Sequence, residues 1–280
     1  MSEVRIDALL PAEMATRAEY IGVRKAEAPL LTTFILSVLA GAFIALGAIF
    51  ATTVAAGATG VLPYGLTRVL SGLVFSLGLI LVVVGGAELF TGNNLIAMAW
   101  ASGKVSGGAM LRNWLIVYVG NFVGAFGTAV LTFLSRQYSF GGGAVGEVAL
   151  KTATAKVELG FVQAVALGVL CNALVCLAVW MTFSARSTMD KIAAIIFPIS
   201  AFVAAGFEHS VANMYFVPYG LLIQAFDPQF VLESSVDVAR LGWSAFLLNN
   251  LLPVTIGNII GGALLVAGVY WSVFLRSKPA

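Results

Sequence analysis

Charge is the scarcest resource in this sequence. Asp, Glu, Lys and Arg together make up 10% of 280 residues, against 60% hydrophobic residues and a mean hydropathy of +0.99. That composition excludes a soluble globular domain and implies a polytopic membrane protein, embedded in lipid. A net charge of +2 offers no basis for nucleic-acid binding, so no nucleic acid is expected as a partner. Histidine occurs once and cysteine twice. Cys171 and Cys176 lie at helical spacing in one apolar run and read as buried thiols, not as a disulfide or metal pair. No metal-ligand cluster, phosphate-binding loop or nucleophile elbow is visible, so neither cofactor nor metal is expected. The first residues, with Glu3, Arg5, Asp7 and Pro11, lack the charged-then-apolar layout of a cleavable signal peptide.

What is present is glycine, 30 residues of it, and long apolar runs. Small residues at this density suit closely packed transmembrane helices. Residues 1–28 are polar and mixed in charge, with Ile6, Leu9, Leu10, Met14, Ala18 and Ile21 at roughly helical spacing. They read as an amphipathic cytoplasmic segment on the membrane face or over the protein's mouth, or as a plain solvated leader. Residues 29–280 are expected to form one six-span transmembrane domain. Its spans are expected at Pro29–Val54, Tyr64–Ala101, Met110–Leu134, Phe161–Phe183, Lys191–Ala225 and Ala245–Leu275, with a glycine-rich connection after the third. The second region is too long for one crossing, which needs about 20 residues. In the fifth, Lys191–Gly206 has 16 residues, which rise ~24 Å, short of the ~30 Å hydrocarbon core. Both regions are therefore expected to break within about four residues of Thr91 and Ser210. With the N-terminus inside, Arg5, Arg17, Arg24, Lys25, Lys104, Arg112, Arg186, Lys191, Arg276 and Lys278 fall on the inner side. Arg68, Arg136, Lys151, Lys156 and Arg240 fall on the outer side, and this bias places both termini in the cytoplasm.

A short motif occurs at both expected breaks. Gly86-Ala87-Glu88-Leu89-Phe90-Thr91-Gly92-Asn93 and Gly206-Phe207-Glu208-His209-Ser210-Val211-Ala212-Asn213 share G-x-E-x-x-x-x-N at an offset of 120 residues. Gly120-Asn121-Phe122-Val123-Gly124 similarly resembles Gly257-Asn258-Ile259-Ile260-Gly261. Three spans are an odd number, so repeats of three run in opposite directions. The reading is an all-α protein of six spans in an inverted three-plus-three repeat with its second and fifth helices broken, as transporters use to build midplane sites. Half-helix N-termini freed at the breaks favour anions. His209 can supply a proton or a hydrogen bond where little else can, and faces either a permeation path or the other broken segment. Thr91 and Ser210 are candidate hydroxyl partners or caps. Glu88 and Glu208 read more naturally as partners of backbone N–H groups or a buried amide than as contacts of a permeant anion, which they would repel. Phe75, Leu79, Leu89, Phe90, Val175 and Phe202 are either core packing or hydrophobic gates. Lys156 is either an attractor of anions in an outer vestibule or a solvated loop lysine.

Through these residues the chain resembles the formate/nitrite transporter family. Val83-Val84-Gly85-Gly86-Ala87-Glu88-Leu89-Phe90-Thr91-Gly92 and Gly168-Val169-Leu170-Cys171-Asn172-Ala173-Leu174-Val175-Cys176-Leu177-Ala178 are similar to its two signatures. Gly206–Met214 and Pro253–Gly262 extend the likeness, and Ser187-Thr188-Met189-Asp190-Lys191 and Asn213-Met214-Tyr215-Phe216-Val217-Pro218 are most similar to its formate-channel branch. The resemblance implies a homopentamer of aquaporin-like protomers in a bacterial inner membrane, each passing formate or a similar small anion through its own pore. It implies Leu79, Leu89 and Phe90 near an inner constriction, Phe75 and Phe202 around the centre, and His209 within reach of Thr91. Lys156, Asn172, Glu208 and Asn213 would form the outer vestibule and its support. Formate channels often carry Ser-Thr where this chain has Gly92-Asn93. Nitrite or hydrosulfide passage is the alternative within the family. A neutral-solute pore of aquaporin type would lack its paired Asn-Pro-Ala motifs, and an intramembrane enzyme would lack a nucleophile.

Overall fold

The computed structural model describes residues 8–276, so Glu3, Arg5, Ile6, Asp7 and Lys278 fall outside the described residues. Among them every regular element is a helix. Helix α1 (Pro11–Glu27) leads into α2 (Leu30–Ala55) and α3 (Tyr64–Gly85). After four non-helical residues come α4 (Phe90–Asn93), a 3₁₀ turn (Asn94–Ile96), α5 (Ala97–Ala101) and α6 (Gly107–Leu134). Helices α7 (Ala144–Val157), α8 (Phe161–Thr182) and α9 (Thr188–Ala205) follow, and a second four-residue gap precedes α10 (Ser210–Phe226). The short α11 (Pro228–Ser234) connects to a last rod, α12 (Trp243–Ala245), α13 (Leu252–Ile259) and α14 (Val269–Phe274), joined by π-helical turns. Six of these stretches are long and apolar enough to cross a membrane: α2, α3, α6, α8, α9 and Trp243–Phe274.

Local chemistry sets several of the ends. Pro29 and Pro63 stand just before α2 and α3, where an N–H would be unpaired anyway. Ser106 caps α6 by accepting from the Ala109 N–H, and Ser187 with Asp190 forms a capping box on α9. At 18 residues α9 is two longer than the sequence suggests, yet it rises only ~27 Å. Helix α3 has 22 residues and rises ~33 Å, so the first gap follows a full-length helix rather than dividing the run evenly.

The glycine-rich connection after the third span is the main correction. Gly141, Gly142 and Gly143 do form a turn, with positive φ, but a 14-residue helix, α7, follows it. Val145, Ala149, Ala153 and Val157 bury its inner face at four-residue spacing. Helix α1 is likewise no free leader: Met14, Ala15, Ala18, Gly22 and Ala26 are buried, and it packs on residues 94–101. Leu10, part of the apolar stripe read from the sequence, is exposed instead, because it is the residue that begins the helix.

The two halves pack alike. Helix α2 lies on α6 and α3, α8 lies on α13 and α9, and α3 meets α9 at the centre. Each half also sends its second piece into the other: α10 packs on α6, and residues 94–101 pack on residues 260–268. Glycine permits the close approach inside each half. A Cβ on Gly124 would collide with the Val38 carbonyl, and one on Gly261 with the Val169 carbonyl. Gly124→Ala or Gly261→Ala is expected to destabilise the protein by about 1–3 kcal/mol through overpacking. Thermal unfolding in detergent checks this, with Gly65→Ala, where a Cβ meets nothing within 4 Å, expected to leave the midpoint unmoved.

Candidate functional site

The site grows out of the two gaps. Gly86 (φ 76°) and Gly206 (φ 77°) turn the chain through the left-handed region, which glycine alone enters without strain. The Ala87 N–H then returns to the Val82 carbonyl at 2.9 Å, and the Phe207 N–H to the Phe202 carbonyl at 3.0 Å. The Glu88 N–H reaches the Leu36 carbonyl of α2 at 3.2 Å, and the Glu208 N–H the Leu167 carbonyl of α8 at 3.3 Å. Backbone groups at this depth have no water to turn to, so every such bond matters.

One asparagine completes each gap. Asn121 accepts from the Phe90 N–H at 2.8 Å and donates to the Glu88 and Ser37 carbonyls at 2.9 and 2.8 Å. Asn258 repeats the pattern, accepting from Ser210 at 2.9 Å and donating to Glu208 and Gly168 at 2.9 and 2.8 Å. The amide thus caps the new helix, holds the gap and ties both to the neighbouring span.

The carboxylates are held the same way twice. Glu88 accepts from Asn93 at 2.7 Å and from Lys25 at 2.8 Å. Glu208 accepts from Asn213 and Lys156, both at 2.7 Å. Asn113 accepts from Asn93 at 2.9 Å and donates to the Lys25 carbonyl, while Asn250 accepts from Asn213 at 2.7 Å and donates to the Lys156 carbonyl. Each glutamate therefore pairs with a buried amide, as its position suggests, and with a lysine from the helix preceding its half. Lys156 lies in the last turn of α7 with its side chain 14% exposed, so it is a helix residue and not a loop lysine. Lys25, Asn113 and Asn250 escape a reading by motif. Their signal was spacing: Asn113 precedes Asn121 by the same eight residues that separate Asn250 from Asn258.

Two cavities approach the centre. The first, about 280 Å³, is walled by Ala18 and Gly22 of α1, Lys25, Leu79, Glu88, Leu89 and Val179. The second, about 460 Å³, is walled by Arg68, Phe75, Lys156, Phe202, Glu208 and His209. Phe75 and Phe202 meet edge-on with centroids 5.7 Å apart, and the His209 ring stacks on Phe202 at 5.9 Å. Nε2 of His209 lies 3.0 Å from the Thr91 hydroxyl of the opposite half. Its Nδ1 accepts from the Ala212 N–H at 3.1 Å, so His209 itself caps α10. That bond assigns the proton of the neutral ring to Nε2, which donates to Thr91. A second proton, on Nδ1, would have to displace the cap.

The remaining sequence candidates support rather than line. Phe90 packs on Trp114 and Tyr118 with centroids at 6.2 and 4.9 Å. Val175 is buried in α8. Asn172 donates to the Thr91 carbonyl, to Asn94 Oδ1 and to the Asn258 carbonyl at 3.3, 2.9 and 2.7 Å, joining the two gaps. Cys176 also reaches the Thr91 carbonyl, at 3.3 Å, and both cysteines are free thiols.

Comparison with known proteins places this architecture. The formate/nitrite transporter family model matches residues 12–272. The formate channel FocA of Escherichia coli K12 is 48% identical over 276 residues, covering 97% of this chain and 96% of the relative. Formate channel FocA of Haemophilus influenzae is 42% identical over 267 residues, covering 94% and 93%. Among solved structures, a pentameric formate channel with formate bound superposes with a TM-score of 0.82 at 45% identity, over 88% of this chain and 98% of that one. An ion channel of the same family gives 0.79 at 29% identity, over 95% and 99%.

The paired lysine and glutamate generate a test of the site's electrostatics. Lys156→Met leaves Glu208 buried with no opposing charge and is expected to cost about 3–5 kcal/mol. The double variant Lys156→Met/Glu208→Gln removes both charges and is expected to recover most of that loss. A double-mutant cycle on thermal unfolding measures the coupling.

Proposed function

This chain belongs to the formate/nitrite transporter family of membrane channels, not enzymes, and from that premise we propose that it passes formate through a pore in each protomer of a homopentamer. The observation that carries the reading is the Thr91–His209 pair, 3.0 Å apart, with His209 in the wall of the larger cavity and Leu89 and Gly92, which flank Thr91 in the chain, in the wall of the smaller. In this reading the three-span halves run in opposite directions as an inverted repeat, the four-residue gaps are breaks in the second and fifth helices, and the protomer is aquaporin-like. The positive bias of the inner segments supports cytoplasmic termini in a bacterial inner membrane. Helix α1, within the N-terminal segment, then forms a cytoplasmic cap over the cavity of Lys25 and Glu88.

The path follows from the cost of desolvating an anion. Formate leaving bulk water loses several kcal/mol of hydration at an apolar ring. Lys156 at one mouth and Lys25 at the other offset part of it by their charge, while the adjacent glutamates keep the anion from binding too tightly. Phe75 and Phe202 close the path on one side of the centre, Leu79 and Leu89 on the other, with Phe90, Val175 and Asn172 fixing the walls. Between them the ring of His209 offers an N–H to the passing carboxylate. For His209 to lend a proton as well, Nδ1 must first release the Ala212 N–H and be protonated. Release would couple proton transfer to movement of the α10 start. Nitrite and hydrosulfide share formate's charge and small size, and competition among the three in the same vesicles ranks them.

His209→Asn keeps a good helix cap and a hydrogen-bond donor but cannot titrate. In liposomes the variant is expected to remain pentameric and to pass formate. Its proton-coupled uptake at low external pH is expected to fall about tenfold or more, in line with the weight of a positioned acid–base group. Stopped-flow formate flux against pH in both directions makes the measurement. An unchanged rate and pH profile would make His209 a cap and nothing further.

A further inference from the structure

The two cavities are unequal in charge. Among the described residues, the wall of the larger holds three basic side chains, Arg68, Lys151 and Lys156, against one carboxylate, Glu208. The wall of the smaller holds Lys25 against Glu88, and the groove that shares these two residues adds Arg24. Lys156 and Lys151 each face a carboxylate, at 2.7 and 3.2 Å. Arg68 faces none among the described residues. Its Nε donates to the Ala204 carbonyl at 3.2 Å and its Nη2 to the Val203 carbonyl, both neutral acceptors.

Those carbonyls are the C-terminal end of α9, where the helix stops short beside the cavity. The Gly206 and Phe207 N–H groups return to Val203 and Phe202 at 3.1 and 3.0 Å, leaving the Ala204 carbonyl to the arginine. A helix C-terminus carries partial negative charge and would repel an incoming anion. The offset that relates Glu88 to Glu208 carries Arg68 onto Thr188, which has no charge. Only one of the two mouths has this arrangement.

We propose that Arg68 is a positioning residue of the anion path: it covers the negative end of α9 and leaves one uncompensated positive charge at the mouth of Lys156. An anion entering there meets that charge in place of the bare helix end. The proposal rests on the transport reading above and adds a residue to its path. Arginine suits the task because its planar fork reaches two carbonyls at once while its charge cannot be lost.

The test uses the full-length protein, wild type, Arg68→Gln and Arg68→Lys, in vesicles of defined orientation. Gln retains an amide donor for the carbonyls but no charge; Lys retains the charge. For Arg68→Gln the half-saturating formate concentration on the Arg68 side is expected to rise roughly fivefold, the effect of one nearby charge in a wet cavity. Maximal rate and the value on the opposite side are expected to stay put, the difference to shrink as salt rises, and Arg68→Lys to restore most of it. If the Gln variant does not fold, Arg68→Met takes its place, with the same rise expected on the Arg68 side. An unchanged Gln variant, or equal and salt-independent losses in Gln and Lys, would each overturn the proposal. Wild-type vesicles that pass no formate would overturn the transport reading and this inference together, whereas wild-type transport with an unaltered Gln variant overturns this inference alone.

Discussion

A helix that stops inside a membrane leaves amides and carbonyls that lipid cannot take up. In this chain two asparagines carry that burden. Asn121 and Asn258 each make three bonds, one to the first N–H of the new helix and two to carbonyls of the gap and of the neighbouring span. An asparagine amide is the smallest side chain that both accepts and donates in this fork, so a leucine of similar volume would leave several backbone groups unpaired. The rest of the site depends on this arrangement. The glutamates, the lysines and the Thr91–His209 pair can be placed only because the backbone on which they stand is held.

Much of the fold was legible because membrane spans are written in long, simple runs. The gap at Gly206 followed from a first piece too short to cross, and the gap at Gly86 from a second region too long. The doubled Glu and Asn pointed to the same two places. What stayed hidden was chemistry carried by single residues at variable distance. Lys25 and Lys156 correspond at an offset of 131 residues, the glutamates at 120, and the asparagine pairs at 137. Connections of unequal length between the elements shift each offset, so no single sequence period reveals the network. A helix of alanine, lysine and threonine such as α7 also reads as a loop when judged by hydropathy and by the glycines before it, since its buried stripe is small.

With the lysines in place, the matching bonds of the two halves extend beyond three spans. Each half begins with a peripheral helix, α1 or α7, whose last turn sends a lysine into the glutamate of its own half. The correspondence fails where the second half has its histidine, His209, and the first has Leu89, each at the position that precedes the new helix. The two sets of bonds thus match in pattern while single residues within them differ. His209 shows how tightly these are combined: one ring nitrogen caps α10 and the other meets the Thr91 hydroxyl.

Asn172 gives this frame a fixed gauge. From the middle of α8 its single amide nitrogen reaches the Thr91 carbonyl in α4, the Asn94 side chain just after it, and the Asn258 carbonyl in α13. A crossbar of that kind sets the spacing between opposing walls by bond lengths instead of by the looser fit of apolar side chains. Thermal breathing of the spans would then widen the passage little at its narrowest level. On the path proposed above, a solute one or two atoms larger than formate would meet a hydrogen-bonded gauge, and exclusion by size becomes a property of the frame, not of the residues that touch the solute.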